Sequence, residues 1–229
     1  MQYFALLMSQ ESGLSPDERA DQMAAYQNFH AKARQAIRGG DALAPAAVTI
    51  TGGPEAPLVT DGPFAEGAEV ACGYYVFEAD DLDEALTYAR DIPAAEYGAV
   101  EVWPMFGDYQ PAQRDGGQWL ALLQAPPEGA VTPGTPEWLE RAAPHQHFAS
   151  AAGDHIVGGA ALYEVPTATT VRVRDGEVLI TDGLYAEAAE VANGFYVLSA
   201  GDRDEAIKVA SGIPAATVQL RQLAGISGL

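Results

Sequence analysis

Positive charge is scarce in this chain. Its 229 residues include 12 Lys and Arg against 32 Asp and Glu, and the formal net charge is −20 at pH 7. Proteins that bind nucleic acids draw most of their affinity from cationic side chains that neutralise phosphates, and anionic membrane headgroups attract the same side chains. We therefore expect no nucleic-acid partner and no membrane partner, and a protein that handles small molecules or other proteins.

Cysteine and long apolar runs are also lacking. The single cysteine, Cys72, excludes an intrachain disulfide framework and a cysteine-based zinc cage. No apolar run reaches the length of a membrane-spanning helix, and the N-terminal segment lacks basic residues and meets Glu11 too early for a signal peptide. These absences predict a protein of the reducing cytoplasm.

Signature motifs of common catalytic sites are absent as well. The chain contains no G-x-x-x-x-G-K-[ST] segment for a nucleotide phosphate and no G-x-S-x-G segment for a nucleophilic serine. His145 and His147 form an H-x-H pair, but no third ligand follows at a spacing typical of a metal site. We predict neither a metal nor a cofactor.

The chain contains an internal repeat. At an offset of 121, residues 60–95 align with residues 181–216 without a gap, and 22 of the 36 pairs are identical. The matched blocks are TDGPFAEGAEVACGYYV with TDGLYAEAAEVANGFYV, D-x-DEA with D-x-DEA, and IPAA with IPAA. A period near 120 is too long for a solenoid repeat, so the repeat indicates a duplicated domain.

Each copy follows one order of elements. In the first copy the pattern predicts strands at 2–8, 44–51, 58–60, 70–79 and 98–105 and helices at 15–37 and 81–91. Ser15 and Asp81 are typical helix caps, Pro93 ends the second helix, and Gly39-Gly40 is interpreted as the end of the first. The order β-α-β-β-α-β is that of a ferredoxin-like α+β domain.

Such a sheet has a second apolar face that must be covered. In this chain the duplication supplies the cover, so we predict two tandem ferredoxin-like domains packed as an intrachain dimeric α+β barrel. The predicted domains are 1–105 and 117–229, called here the first and second copies, joined by a linker at 106–116. A ligand pocket is expected between sheets and helices, in a monomer or a homodimer.

The repeated motif carries a resemblance to a known family. The chain resembles the DGPF group of the YCII-related family, through Asp61, Gly62, Pro63, Phe64, Ala65, Glu66, Glu69, Gly73, Tyr74, Ala85, Pro93, Glu101 and Pro104. The resemblance implies a dimeric α+β barrel. Some members of that family lie beside or are fused to alternative sigma factors, and other relatives are proposed small-molecule enzymes, so the resemblance implies more about fold than about function.

Departures from the family pattern concern charge. Gly67-Ala68 replaces a Thr-Lys pair, and Trp103 stands where the closing strand of the family has Arg. In the second copy the closing strand has Arg221 instead. These changes favour a neutral, apolar ligand in the first copy and make the two copies chemically unequal.

Two Asp-Gly pairs, at Asp61 and Asp182, are the most distinctive acids. Each fits a turn in which Gly supplies a positive φ, and each could also serve as a pocket carboxylate acting as a general base. The recurring acids Glu66, Glu69, Glu187 and Glu190 fit a paired-carboxylate site or, more simply, a solvated face.

The second copy places two histidines where the first helix is expected. His145 and His147 are two residues apart, so on a helix they point about 200° away from one another and only one can face a given pocket. Relatives in the resembling family carry a His in this helix, often paired with an Asp proposed to be catalytic. We take His145, His147, Asp182 and Asp61 as catalytic candidates. The candidates for ligand contact are Tyr74, Trp103, Phe195, Tyr196 and Arg221.

Two functions of different class stay open. The first is a cofactor-independent acid-base enzyme of lyase, isomerase or cyclase type that acts on an apolar or aromatic small molecule. The second is a non-catalytic accessory or regulatory binding module, linked to a sigma factor as the resemblance suggests. Because the copies differ at several matching places, we predict one functional site, in the second copy, formed by His145 or His147 with Asp182 and aromatic residues.

Overall fold

The computed structural model describes residues 1–9, 15–62, 70–128, 130–184 and 190–225. Its helices are α1 (Pro16–Ala33), α2 (Leu82–Asp91), α3 (Ala94–Tyr97), α4 (Pro136–Ala152) and α5 (Arg203–Ala210). Its strands are β1 (Gln2–Ser9), β2 (Ile37–Thr51), β3 (Leu58–Asp61), β4 (Val70–Glu78), β5 (Ala99–Phe106), β6 (Gly117–Ala125), β7 (Ile156–Leu162), β8 (Thr169–Arg174), β9 (Glu177–Asp182), β10 (Val191–Ala200) and β11 (Thr217–Leu223). Short 3₁₀ turns lie at Gly153–His155 and Val165–Thr167.

Eight of the strands close into a barrel. The order is β1-β4-β2-β11-β6-β10-β7-β5, and β5 pairs with β1 to complete the ring. All these pairings are antiparallel. Closure removes most of the exposed sheet edges, which are otherwise sites of non-native pairing. The prediction of two tandem ferredoxin-like copies packed as an intrachain α+β barrel is confirmed.

Strands of the two copies pair with one another across the junction. Residues 37–42 of β2 pair with β4 of the same copy, whereas residues 47–51 pair with β11 of the other copy. The second copy divides the same path into β7, which pairs with β10, and β8, which pairs with β5 of the first copy. Each copy therefore completes the sheet of the other.

Apolar residues alternate between the inside of the barrel and its helix-covered outside. In β1, Phe4 and Leu6 belong to an interior cluster drawn from both copies, while Tyr3 and Leu7 pack in an outer cluster with Phe29 of α1. A second outer cluster lies under α4 and α5. This alternation follows from the two-residue period of a strand. It creates two layers that a ligand site can use, the barrel interior and the space beneath each long helix.

The helix starts agree with the sequence. The Ser15 side chain accepts from the Glu18 N–H, and the Glu18 carboxylate accepts from the Ser15 N–H, which forms a capping box. The Asp81 side chain accepts from the Glu84 N–H at 2.9 Å. These caps satisfy backbone donors that have no partner within the helix.

The interpretation of Gly39-Gly40 as a helix end is wrong. Helix α1 ends at Ala33, and both glycines lie inside β2. They are needed for close approach: a Cβ on Gly39 would lie 2.8 Å from Cε1 of Tyr109, and a Cβ on Gly40 would lie 2.4 Å from Cδ1 of Tyr75. The glycines therefore make room for two aromatic rings, one on each side of the sheet.

Candidate functional site

A histidine–tyrosine pair links α4 to the sheet of the second copy. Helix α4 begins after Thr135, whose side chain accepts from the Trp138 N–H. Further along the helix, Phe148 packs edge-on against Tyr196 of β10 with ring centroids 5.3 Å apart. One turn before Phe148, His145 Nδ1 lies 3.1 Å from Tyr196 Oη. The Phe148 contact holds the helix over the strand, so the imidazole reaches the phenol.

The position of Tyr196 depends on a glycine in the neighbouring strand. A Cβ on Gly159 of β7 would lie 2.8 Å from Cδ1 of Tyr196 and 2.5 Å from the carbonyl oxygen of Phe195. Any side chain there would displace the strand or the ring. Tyr196 points outward towards α4, while Phe195 points into the barrel, as the alternation of β10 requires.

A cavity of about 630 Å³ lies between α4 and strands β6, β7 and β10. Its wall is mainly apolar, with small residues on the strands and Trp138 and Leu139 on the helix. The polar side chains in the wall are Glu128, Arg141, His145, Gln146, Tyr163, Glu164, Asn193 and Tyr196. We call this space the α4 cavity. Its size is that of a small-molecule site.

Burial sets the protonation of the pair. Desolvation lowers the pKa of His145 below its ordinary value and raises the pKa of Tyr196 to about 12. At neutral pH both groups are therefore uncharged. A neutral imidazole in an apolar wall can take a proton from a ligand, and the bonded phenol fixes its ring. The arrangement is suited to proton transfer.

The imidazole of His145 should titrate by NMR with a pKa below 6.5, the value expected without burial. Because the folded pKa is the lower one, the unfolded chain binds the proton more tightly, and stability should fall as pH drops through 6.5 towards the folded pKa. Urea midpoints at pH 7.5 and 5.0 should show a smaller fall for His145→Gln than for wild type. A His145 midpoint above 6.5 would contradict the burial argument.

The first copy contains a second pair that the sequence did not reveal. His30 Nε2 lies 2.6 Å from Tyr75 Oη, and Phe29 packs edge-on against Tyr75 at 5.2 Å. Burial lowers the pKa of His30, and the Asp41 carboxylate opposes that shift. His30 has the features of an ordinary helix residue in the sequence. Its neighbours in the sequence give little indication of the pair. Phe29 precedes it and Gly39-Gly40 follows, and the importance of Phe29 and Gly40 is seen only in the structure, where both lie against Tyr75.

The two Asp-Gly pairs form turns. Gly62 and Gly183 adopt positive φ values of 92° and 84°. Their carbonyl oxygens accept hydrogen bonds from equivalent hydroxyls, Thr49 at 3.2 Å and Thr170 at 2.7 Å. The two copies therefore form the same turn, held by equivalent hydrogen bonds.

The predicted carboxylates and the second histidine lie away from the α4 cavity. Asp61 is exposed and forms an ion pair with Arg203, while Asp182 is exposed at the end of β9. His147 is exposed on α4, as its spacing from His145 requires. Glu66, Glu69 and Glu187 lie outside the described residues, and Glu190 accepts a hydrogen bond from Thr217. The structure therefore brings His145 together with Tyr196 and with neither aspartate.

The aromatic candidates divide between the two layers. Tyr74, Trp103 and Phe195 are buried in the barrel interior. Arg221 is also buried, and its Nε donates to the carbonyl oxygen of Ala44 at 2.8 Å. Only Tyr196 presents its ring to α4, although Phe195 also borders the cavity. The five candidates for ligand contact therefore do not line one common pocket.

Metal-binding clusters and membrane-spanning helices are absent from the described residues. Within these ranges, no cluster of three or more His, Cys, Asp or Glu side chains is arranged to hold a metal ion. Across the same parts of the chain, every helix is too short or too polar to span a bilayer.

Comparison with known proteins places the chain in a family. A protein of Rhizobium meliloti (strain 1021), described as uncharacterized, is 32% identical over 114 residues, which are 46% of this chain and 92% of that protein. A crystal structure of a putative chlorite dismutase aligns with a TM-score of 0.46 and 8% identity over 99% of this chain and 97% of that chain. The model of the YCII-related domain matches residues 1–107 and again residues 108–222. The chain therefore belongs to the YCII-related domain family, as a member with two copies in tandem.

Proposed function

We propose that this protein binds an apolar or aromatic small molecule in the α4 cavity and transfers a proton to or from it through His145. The observation that carries the proposal is the His145–Tyr196 pair in the wall of a largely apolar cavity of about 630 Å³. Enclosure by apolar side chains supplies binding, and the neutral imidazole supplies acid-base chemistry. No step requires a cofactor.

The second copy is preferred over the first because His145, unlike His30 of the first copy, lies in the wall of the α4 cavity. In the first copy, the position that matches His145 is occupied by Tyr26, whose hydroxyl lies 2.8 Å from that of Tyr97. Two phenols are weak bases at neutral pH, and burial raises the pKa of both further. His145 is therefore the better proton acceptor of the two matching residues.

The binding part is tested with toluene as an apolar aromatic probe. Ala142 lines the α4 cavity from the helix, so Ala142→Leu should fill part of it and weaken toluene binding at least about tenfold, a cost near 1.4 kcal/mol. Binding is measured by NMR shift titration. Ala143→Leu is the matched control, because Ala143 is exposed on the same helix and should leave affinity unchanged. Equal toluene affinity in wild type and Ala142→Leu would contradict binding in this cavity.

A further inference from the structure

The first copy holds one of its own phenols where the second copy has the cavity. Pro214, Ala215 and Ala216 line the α4 cavity. The matching IPAA segment of the first copy continues into α3, which ends at Tyr97. Tyr97 Oη lies 2.8 Å from Tyr26 Oη of α1, and its side chain also hydrogen-bonds with Gln22. Tyr97 thus reaches across from the α3 side to α1.

The helix positions that Tyr97 contacts have counterparts in α4. Phe29 and Phe148 pack alike on Tyr75 and Tyr196, at 5.2 Å and 63° in one copy and 5.3 Å and 66° in the other. At this contact the two helices are offset by 148 − 29, or 119 residues, whereas their N-caps Ser15 and Thr135 are offset by 120. At the offset of 119 residues, Tyr26 corresponds to His145, and Gln22 corresponds to Arg141. Both counterparts line the α4 cavity.

We infer that the ligand of the α4 cavity is a phenol, whose ring lies along residues 214–216 and whose hydroxyl meets His145 beside Arg141. The inference rests on the proposed function and adds the class of ligand. Tyr97 is the internal counterpart of that ligand: a phenol that approaches from the same side and places its hydroxyl between the same two helix positions.

The side chains of the second copy suit an external phenol. In the tautomer in which Nδ1–H of His145 donates to Tyr196 Oη, the other ring nitrogen, Nε2, can accept from the ligand hydroxyl. Arg141, which pairs with Glu137 at 2.8 Å, lies one turn before His145 in the cavity wall. Glu128 and Glu164 also line the cavity and would repel an aryl carboxylate. The wall therefore selects a neutral hydroxyaromatic over a carboxylate.

The first experiment compares p-cresol with toluene, which differ by one hydroxyl. We expect the full-length chain to bind p-cresol about tenfold more tightly, the value of one hydrogen bond in an apolar wall. His145→Ala should abolish this preference, so that p-cresol and toluene bind with equal affinity, and His147→Ala should preserve it. If p-cresol and toluene bind equally, the phenol inference fails and the cavity proposal stands. If neither binds, the proposed function itself fails.

The second experiment uses p-cresol, the side chain of tyrosine, to replace Tyr97. Tyr97 is 43% exposed, so Tyr97→Ala should leave the fold intact by circular dichroism. This variant should bind a second equivalent of p-cresol by calorimetry, between Tyr26 and Gln22. Tyr97→Phe retains the ring and should bind only one equivalent. A stoichiometry of one for Tyr97→Ala would overturn the correspondence between Tyr97 and the ligand.

Discussion

Tyr109→Ala is expected to lower the free energy of unfolding by about 3 to 5 kcal/mol, the range for deleting a large buried aromatic side chain. Tyr109 is 2% exposed and lies in the barrel interior with Phe195, at a centroid distance of 5.6 Å. Its ring fits between one glycine of each copy: a Cβ on Gly39 would lie 2.8 Å from one ring edge, and a Cβ on Gly158 would lie 2.7 Å from the other.

Urea unfolding measures this effect, and two sets of variants locate its cause. Tyr109→Phe keeps the ring and loses only the hydroxyl bond with Tyr74, so it should cost about 1 kcal/mol. Gly39→Ala and Gly158→Ala should each destabilise, whereas Gly212→Ala meets its nearest atom at an ordinary 3.4 Å and should be tolerated. A loss below about 1 kcal/mol for Tyr109→Ala would show that the ring does not lock the copies together.

The contacts of Tyr109 bring part of the segment between the copies into the core. The backbone N–H of Tyr109 donates to the side-chain oxygen of Gln2, and the carbonyl oxygen of Tyr109 accepts from the Gln2 side-chain nitrogen. Gln2 is itself buried. A residue of the predicted linker is thus part of the core, which ties the start of the first copy to the junction.

The second large effect concerns proton transfer by His145. We expect the wild-type chain to open the ring of 5-nitrobenzisoxazole, a flat apolar substrate that a single base converts. The base takes the proton from C3, the N–O bond breaks, and 2-cyano-4-nitrophenolate forms with its visible absorbance. General-base catalysis is worth about 100-fold or more, so His145→Ala should lower kcat/KM by about that factor.

Three variants and a pH profile separate the chemistry from binding and from structure. Ala142→Leu should raise KM with little change in kcat, because it blocks the cavity and leaves the base in place. His147→Ala should have no effect. The rate should decline only below the lowered pKa of His145, where the imidazole becomes charged. If His30→Ala removes the activity and His145→Ala does not, the working pair lies in the first copy.

Much of the fold could be predicted because its signals are local or repeated. The match of residues 60–95 to 181–216 requires two like domains, and an apolar sheet face requires a cover, so the barrel follows from the duplication. Ser15 and Asp81 cap helices through bonds to residues three positions away. The Asp-Gly turns follow likewise from the conformational freedom of glycine at Gly62 and Gly183.

The candidate site was only partly predictable. His145 and Tyr196 are both foreseeable as candidates, since each stands at a conspicuous place in the second copy. Their pairing is not, because it joins residues 51 positions apart through the packing of Phe148 on β10. The sequence also groups Tyr74, Trp103 and Tyr196, although strand alternation sends the first two into the barrel and the third towards α4.

The sequence by itself therefore determined the duplicated α+β architecture, the acidic charge, the helix starts and the two Asp-Gly turns. Tertiary structure alone decided the role of Gly39 and Gly158, which depends on the Tyr109 ring that lies between them. It also decided that Tyr97 of α3 meets Tyr26 of α1, a contact between residues 71 positions apart. Such relations depend on how separate elements pack, and short-range patterns carry no record of that packing.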